Sequence, residues 1–212
     1  MKKNVLVIVA FLISSLTFAQ NNAKKLLDDV SAKINSYENI QLSFKYNLKN
    51  TEENVSQEIK GKATLKGSKY HIEFMGITQL FDGEKLYTIN PEDEEVTISK
   101  TDDDDTAGFT VAKFYSFYKD GYNYKMDIVQ NVGGRKIQYV KLTPIDSNAE
   151  NKYILIGVDT KAKNIYKVIL AATNGTKITV TINSFKTNQS IGKKLFIFDK
   201  TKYADYEINE LD

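Results

Sequence analysis

Apolar and polar residues alternate along residues 40–49, IQLSFKYNLK, placing Ile40, Leu42, Phe44, Tyr46 and Leu48 on one side. A period of two predicts a half-buried strand, because successive side chains of an extended chain point to opposite faces. The same period returns in EIKGKATLKGSKYHIEF, residues 58–74. There Ile59, Ala63 and Leu65 form one apolar side, a Gly67-Ser68 turn follows, and Tyr70, Ile72 and Phe74 form the next. Further strands are predicted at 77–81, 85–90 and 95–99, separated by the turn signals Asp82-Gly83 and Asn90-Pro91. Within 85–90, Leu86 and Thr88 oppose Tyr87 and Ile89; beyond the acidic loop, Val96 and Ile98 alternate with Thr97 and Ser99.

Two stretches follow the helical period instead. Ala23, Leu26, Leu27, Val30, Ile34 and Tyr37 fall on one helical stripe, with lysines and aspartates on the rest of the surface. Phe109, Ala112, Phe114, Tyr115, Phe117 and Tyr118 predict a second, strongly aromatic helix that Gly121 could end. Asp102 to Asp105 precede it, where negative charge complements the helix dipole.

Strands resume at 124–129 and 136–142 around Gly133-Gly134. A meander over 152–185 follows, with turns at 159–164 and Asn174-Gly175, and KLFIFD (194–199) closes it. Consecutive strands with short turns imply antiparallel pairing, and about ten in one sheet must curl, split or close. The expected fold is mainly β with a few helices (α+β). It is a single strongly curved antiparallel sheet forming an incomplete β-barrel, lidded by helices that enclose an apolar cavity.

Composition narrows the function. Residues 1–19 read as a secretory signal peptide: Lys2 and Lys3, an apolar run from Val5 to Leu16, then Thr17-Phe18-Ala19, with cleavage expected before Gln20. Residues 20–212 then suit one domain. Cysteine is absent, which removes disulfides, thiolate chemistry and an acylated N-terminal cysteine. Of 29 basic residues, Lys2 and Lys3 leave with the signal, so 27 face 27 acidic ones, and Arg135 is the only arginine. Such a balanced, arginine-poor chain is a poor match to nucleic acid.

Candidate chemistry is thin. A calcium loop starting at Asp102 would need glycine at its sixth position and glutamate at its twelfth, where Ala107 and Lys113 stand. His71 is the only histidine, with Glu73 on its strand face, and it cannot make a zinc site alone. No nucleophile elbow, P-loop or dinucleotide fingerprint occurs. The expectation is a non-enzymatic protein without metal or cofactor. A curved sheet under apolar helices can leave a hollow fit for a lipid chain.

DGEKLYTINPEDEEVTI (82–98) resembles the DG-x-x-L-W/Y-x-Y-NP-x-x-x-Q-V-T segment of the outer-membrane lipoprotein carrier family, LolA. The helix and strand AKKLLDDVSAKINSYENIQLSFKYNL, with Phe44 at a recurrent phenylalanine, are similar to the family's opening. GKATLKGSKYHIEF resembles the strand pair that usually carries R-P-x-x-F-x-W. KLTP (141–144), IGVDTKAKNIYKV and SFKTNQSIGKKLFIFD resemble later strands. The resemblance implies a periplasmic, monomeric chaperone. It would accept acylated lipoproteins from an inner-membrane ABC transporter, shield their acyl chains and pass them to an outer-membrane acceptor. Expected lining residues are Leu42, Phe44, Tyr46, Leu65, Tyr70, Ile72 and Phe74, with Phe114 and Phe117 on the lid helix. Lys66, or Gly67 in an ungapped alignment, stands where the family's arginine holds the lid, and the proline after it is absent. Ile72 and Tyr87 occupy two tryptophan places. A carrier of another lipid or hydrophobic molecule stays open as an alternative, as does a sensor or interaction module that binds no lipid.

Overall fold

The computed structural model describes residues 22–100 and 117–211. Helix α1 covers 22–35. The strands are β1 (Ile40–Asn50), β2 (Val55–Lys66), β3 (Lys69–Phe74), β4 (Ile77–Phe81), β5 (Lys85–Asn90), β6 (Glu95–Lys100), β7 (Tyr122–Val132), β8 (Arg135–Pro144), β9 (Asn151–Asp159), β10 (Asn164–Ala172), β11 (Thr176–Thr187) and β12 (Glu207–Leu211). Short 3-10 turns occupy Phe117–Lys119 and Lys200–Tyr203. Hydrogen bonding orders the strands β12-β6-β5-β4-β3-β2-β1-β11-β10-β9-β8-β7. The described residues form two compact units, one from 22–34, Leu48–Ser56 and Tyr118–Thr179, the other from Asn35–Asn47, 57–100, 117 and 180–211.

In the first unit β7 to β10 form an antiparallel meander. Val140, Leu142, Ile154, Ile156 and Val158 share one face by register and are buried, as are Ile137 and Tyr139 on the opposite face. Gly157 makes room for Tyr139, whose ring comes within 2.8 Å of where a Cβ would stand. Helix α1 buries Ala23, Leu27, Val30 and Ile34, at the i, i+4, i+7 and i+11 spacing of one helical face. Its charged side is tied down too. Asp28 accepts a hydrogen bond from the Tyr118 hydroxyl at 3.0 Å, and Asp29 pairs with Lys163 of the β9–β10 turn at 3.4 Å.

In the second unit β2 to β6 run antiparallel, each joined to the next by a tight turn. The Asp82-Gly83 turn is held by one side chain. The Asp82 carboxylate accepts from the backbone N–H of Glu84 (2.9 Å) and Lys85 (2.8 Å) and from the Tyr87 hydroxyl (3.1 Å), while Gly83 takes φ +104°. Burial alone would raise the Asp82 pKa, but these donors outweigh it and hold the carboxyl below its usual range. Burial and the Asp82 contact push the Tyr87 hydroxyl up to about 12. Ile89, Val96 and Ile98 are the core on this side, packed by Tyr87, Phe198, Tyr203, Tyr206 and Ile208.

Several expectations need correction. Residues 194–199 are not a strand; they turn through Ile197 N–H to the Lys194 carbonyl (3.1 Å). Their alternation reflects Phe196 and Phe198 going inward without a strand neighbour: Phe198 stacks between Tyr87 and Tyr203, at 4.5 and 5.4 Å between ring centres. The chain instead adds β12, which pairs with β6 in parallel, so pairing is not wholly antiparallel. Twelve strands are present among the described residues rather than about ten. Tyr37 lies past the end of α1, its ring edge-on to Phe185. The predicted aromatic helix lies outside the described residues up to residue 116, as do the predicted signal peptide and Asp102 to Asp105; only the 3-10 turn Phe117–Lys119 is described there.

Candidate functional site

Strand register gathers the apolar candidates of the second unit on one face. Leu65 stands opposite Tyr70 and Ala63 opposite Ile72 across β2–β3; Tyr70 stands opposite Phe81 and Phe74 opposite Ile77 across β3–β4. Phe44 and Tyr46 reach the same patch from β1, their ring centres 5.5 and 5.3 Å from that of Phe74. Leu42 precedes them at the same strand parity. Tyr70 and Phe81 pack ring to ring at 5.4 Å.

Burial separates this face from the sealed core of the first unit. Tyr70 is 5% exposed, but Leu42, Phe44, Tyr46, Leu65, Ile72, Phe74 and Phe81 are only half-buried. Val140, Leu142 and Val158 in the other unit are at 0%. Burial pushes the Tyr46 and Tyr70 hydroxyls above their ordinary pKa, as expected where water is scarce. At the β3–β4 turn, at the edge of the face, lies an open and half-polar hollow of about 450 Å³, lined by Phe44, Gly61, Phe74 and Ile77 but also by Lys62 and Glu73 of the opposite strand side.

Two features of the hollow escaped the sequence reading. Gly61 is buried under Phe44, whose ring comes 2.2 Å from the position of a Cβ, so only glycine lets the ring lie on the sheet here. The alternation of β2 hints at it, since Gly61 falls on the side of Ala63 and Leu65. Met75 and Gly76 form the two-residue turn, both with positive φ (+55° and +79°), and Met75 is 54% exposed at its tip. A methionine in that conformation carries no sequence signal.

The remaining candidates fall elsewhere. Lys66 lies on the strand side away from Leu65 and pairs with Glu38 at 3.2 Å, both side chains being at least half exposed. Phe114 is outside the described residues, and of Phe117 only its place at the start of a 3-10 turn is described. Tyr87 sits on the face opposite Leu86, stacked on Phe198. His71 shares that opposite face, between Thr64 and Leu80. Burial pushes its imidazole pKa below the ordinary value, and Glu73 partly offsets this. Among the described residues no group of three or more histidine, aspartate or glutamate side chains could hold a metal ion, and no helix is long and apolar enough to cross a membrane. What the face can do is exchange water for apolar surface, at roughly 25 cal/mol per Å².

Comparison with known proteins shows the fold and the family. No curated protein matches the chain. A conserved protein from Thermus thermophilus is similar in structure, with TM-score 0.61 at 10% identity, over 90% of this chain and 99% of that one. LprF from Mycobacterium bovis is similar with TM-score 0.50 at 12% identity, over 82% and 97%. At such identities the likeness shows the fold. The family model described as outer membrane lipoprotein carrier protein LolA matches residues 35–199, well over half of the sequence. The chain therefore belongs to the LolA outer membrane lipoprotein carrier family.

Proposed function

We propose that the protein is a monomeric periplasmic chaperone that shelters the acyl chains of lipoproteins and carries them from the inner to the outer membrane. The observation that carries this reading is the aromatic and aliphatic sheet face of the second unit, which stays half-buried while the core of the first unit is sealed. Leu42, Phe44, Tyr46, Leu65, Tyr70, Ile72 and Phe74 line the lipid site, on a sheet curved into an incomplete barrel. In this reading Phe114 and Phe117 supply the lid, while Lys66 is held by Glu38 on the strand side away from Leu65. Each buried methylene of an acyl chain is worth about 0.8 kcal/mol, so an unshielded chain does not cross water freely. Residues 1–19 direct export and are removed. An inner-membrane ABC transporter supplies the cargo and an outer-membrane acceptor receives it.

The test is capture of matched acylated and deacylated lipoprotein, with a known carrier as positive control. Selective capture of the acylated form supports the reading; equal or absent capture by folded protein ends it. One observation favours a second reading, a carrier of another hydrophobic molecule on the same face. The family's arginine is matched by Lys66, which is engaged with Glu38 at the surface, or by Gly67, and neither lysine nor glycine can reproduce arginine's planar fork. Capture of free lipid but not of acylated lipoprotein would select it.

A further inference from the structure

We propose that the segment 193–202, KKLFIFDKTK, is a docking surface for a bilayer of anionic phospholipid. The segment holds four lysines and one aspartate. Lys193, Lys194, Lys200 and Lys202 are exposed, and none of them makes a salt bridge among the described residues. The single carboxylate, Asp199, accepts from the backbone N–H (3.2 Å) and hydroxyl (2.6 Å) of Thr201 and also attracts Lys202 and Lys194, so four lysines against one aspartate leave the segment with three net positive charges. Between the two lysine pairs stands Ile197, 59% exposed. Most of that side chain faces solvent, while its neighbours Phe196 and Phe198 turn inward and fix the segment.

The chemistry points to a bilayer rather than to a shaped partner. Lysine is a flexible point charge that meets phosphate headgroups without fixed geometry. A lone aliphatic side chain flanked by such charges enters the headgroup layer while the ammonium groups stay outside it. Each lysine near an anionic surface strengthens binding by about fivefold at moderate salt. The surface lies on residues other than those of the apolar face, so this inference does not depend on what that face carries.

The test is flotation of the full chain, expressed for export and purified, with vesicles of phosphatidylglycerol and phosphatidylethanolamine or of phosphatidylcholine alone. The wild type binds the anionic vesicles and is released by high salt. Replacing all four lysines by glutamine (K193Q, K194Q, K200Q, K202Q) weakens binding by roughly a hundredfold or more. Ile197→Ser weakens it less, and Lys125→Gln with Lys152→Gln, remote in sequence, leaves it near the wild-type level. Circular dichroism confirms that each variant is folded. Undiminished binding by the folded quadruple variant, equal binding to neutral vesicles, or no binding of wild type to anionic vesicles overturns the proposal.

Discussion

Gly61 offers a direct test of the apolar face. Replacing it with alanine places a Cβ 2.2 Å from Phe44 Cζ and under 3 Å from two further ring atoms, far inside van der Waals contact. Gly61 is not among the residues with positive φ, so alanine fits the backbone. Reduced freedom of the unfolded chain then stabilises by about 0.4–1 kcal/mol. Against that, forcing an extra carbon into a filled site costs about 1–3 kcal/mol, because Phe44 must leave its seat beside Phe74. Gly61→Ala should therefore destabilise the protein by roughly 0.5–2 kcal/mol. In a Phe44→Ala background the obstruction is gone, and the same substitution should stabilise by the entropic amount alone. Urea unfolding of the four proteins closes a double-mutant cycle with a coupling of about 1–3 kcal/mol. The slope of each transition must agree for the four values to be compared as two-state. An equal effect of Gly61→Ala in both backgrounds would refute the placement of Phe44 on Gly61, and with it the shape of the hollow.

Other predictions follow from the same geometry. Phe74→Ser or Phe44→Asp should abolish capture of acylated lipoprotein with the sheet still folded by circular dichroism, whereas Ile137→Ala, at 0% exposure in the first unit, should cost about 2–5 kcal/mol in urea unfolding and leave capture intact. His71 has a folded pKa below its unfolded value, so its contribution to stability is complete above about pH 6.5 and is lost as pH falls through the folded pKa; urea midpoints should drop more for wild type than for His71→Gln across that window, and parallel curves would sink the assignment. Tyr87→Phe keeps its stack on Phe198 and loses only the bond to Asp82, costing about 1.5–3 kcal/mol. Asp82→Asn should bring the Tyr87 titration down from about 12 toward that of free tyrosine in ultraviolet difference spectra.

Local patterning was enough for most strands and turns. The period of two in IQLSFKYNLK became β1, and Asp82-Gly83 became a turn closed by its own aspartate. Such features are legible because side-chain alternation and turn chemistry act over a few residues. Grouping Leu42, Phe44 and Tyr46 with Leu65, Tyr70, Ile72 and Phe74 also followed from alternation, but no strand by itself says which neighbour it meets. Register decided that, through pairs such as Leu65 with Tyr70 and Phe74 with Ile77. The parallel pairing of β12 with β6 joins residues more than a hundred positions apart, beyond any local period. KLFIFD misled for the same reason. Its alternation is that of a strand, yet its phenylalanines answer to Tyr87 and Tyr203 rather than to a hydrogen-bonded neighbour. Sequence sets which side chains seek burial; the partners that bury them, and the glycine that yields its space to Phe44, exist only once distant segments have met.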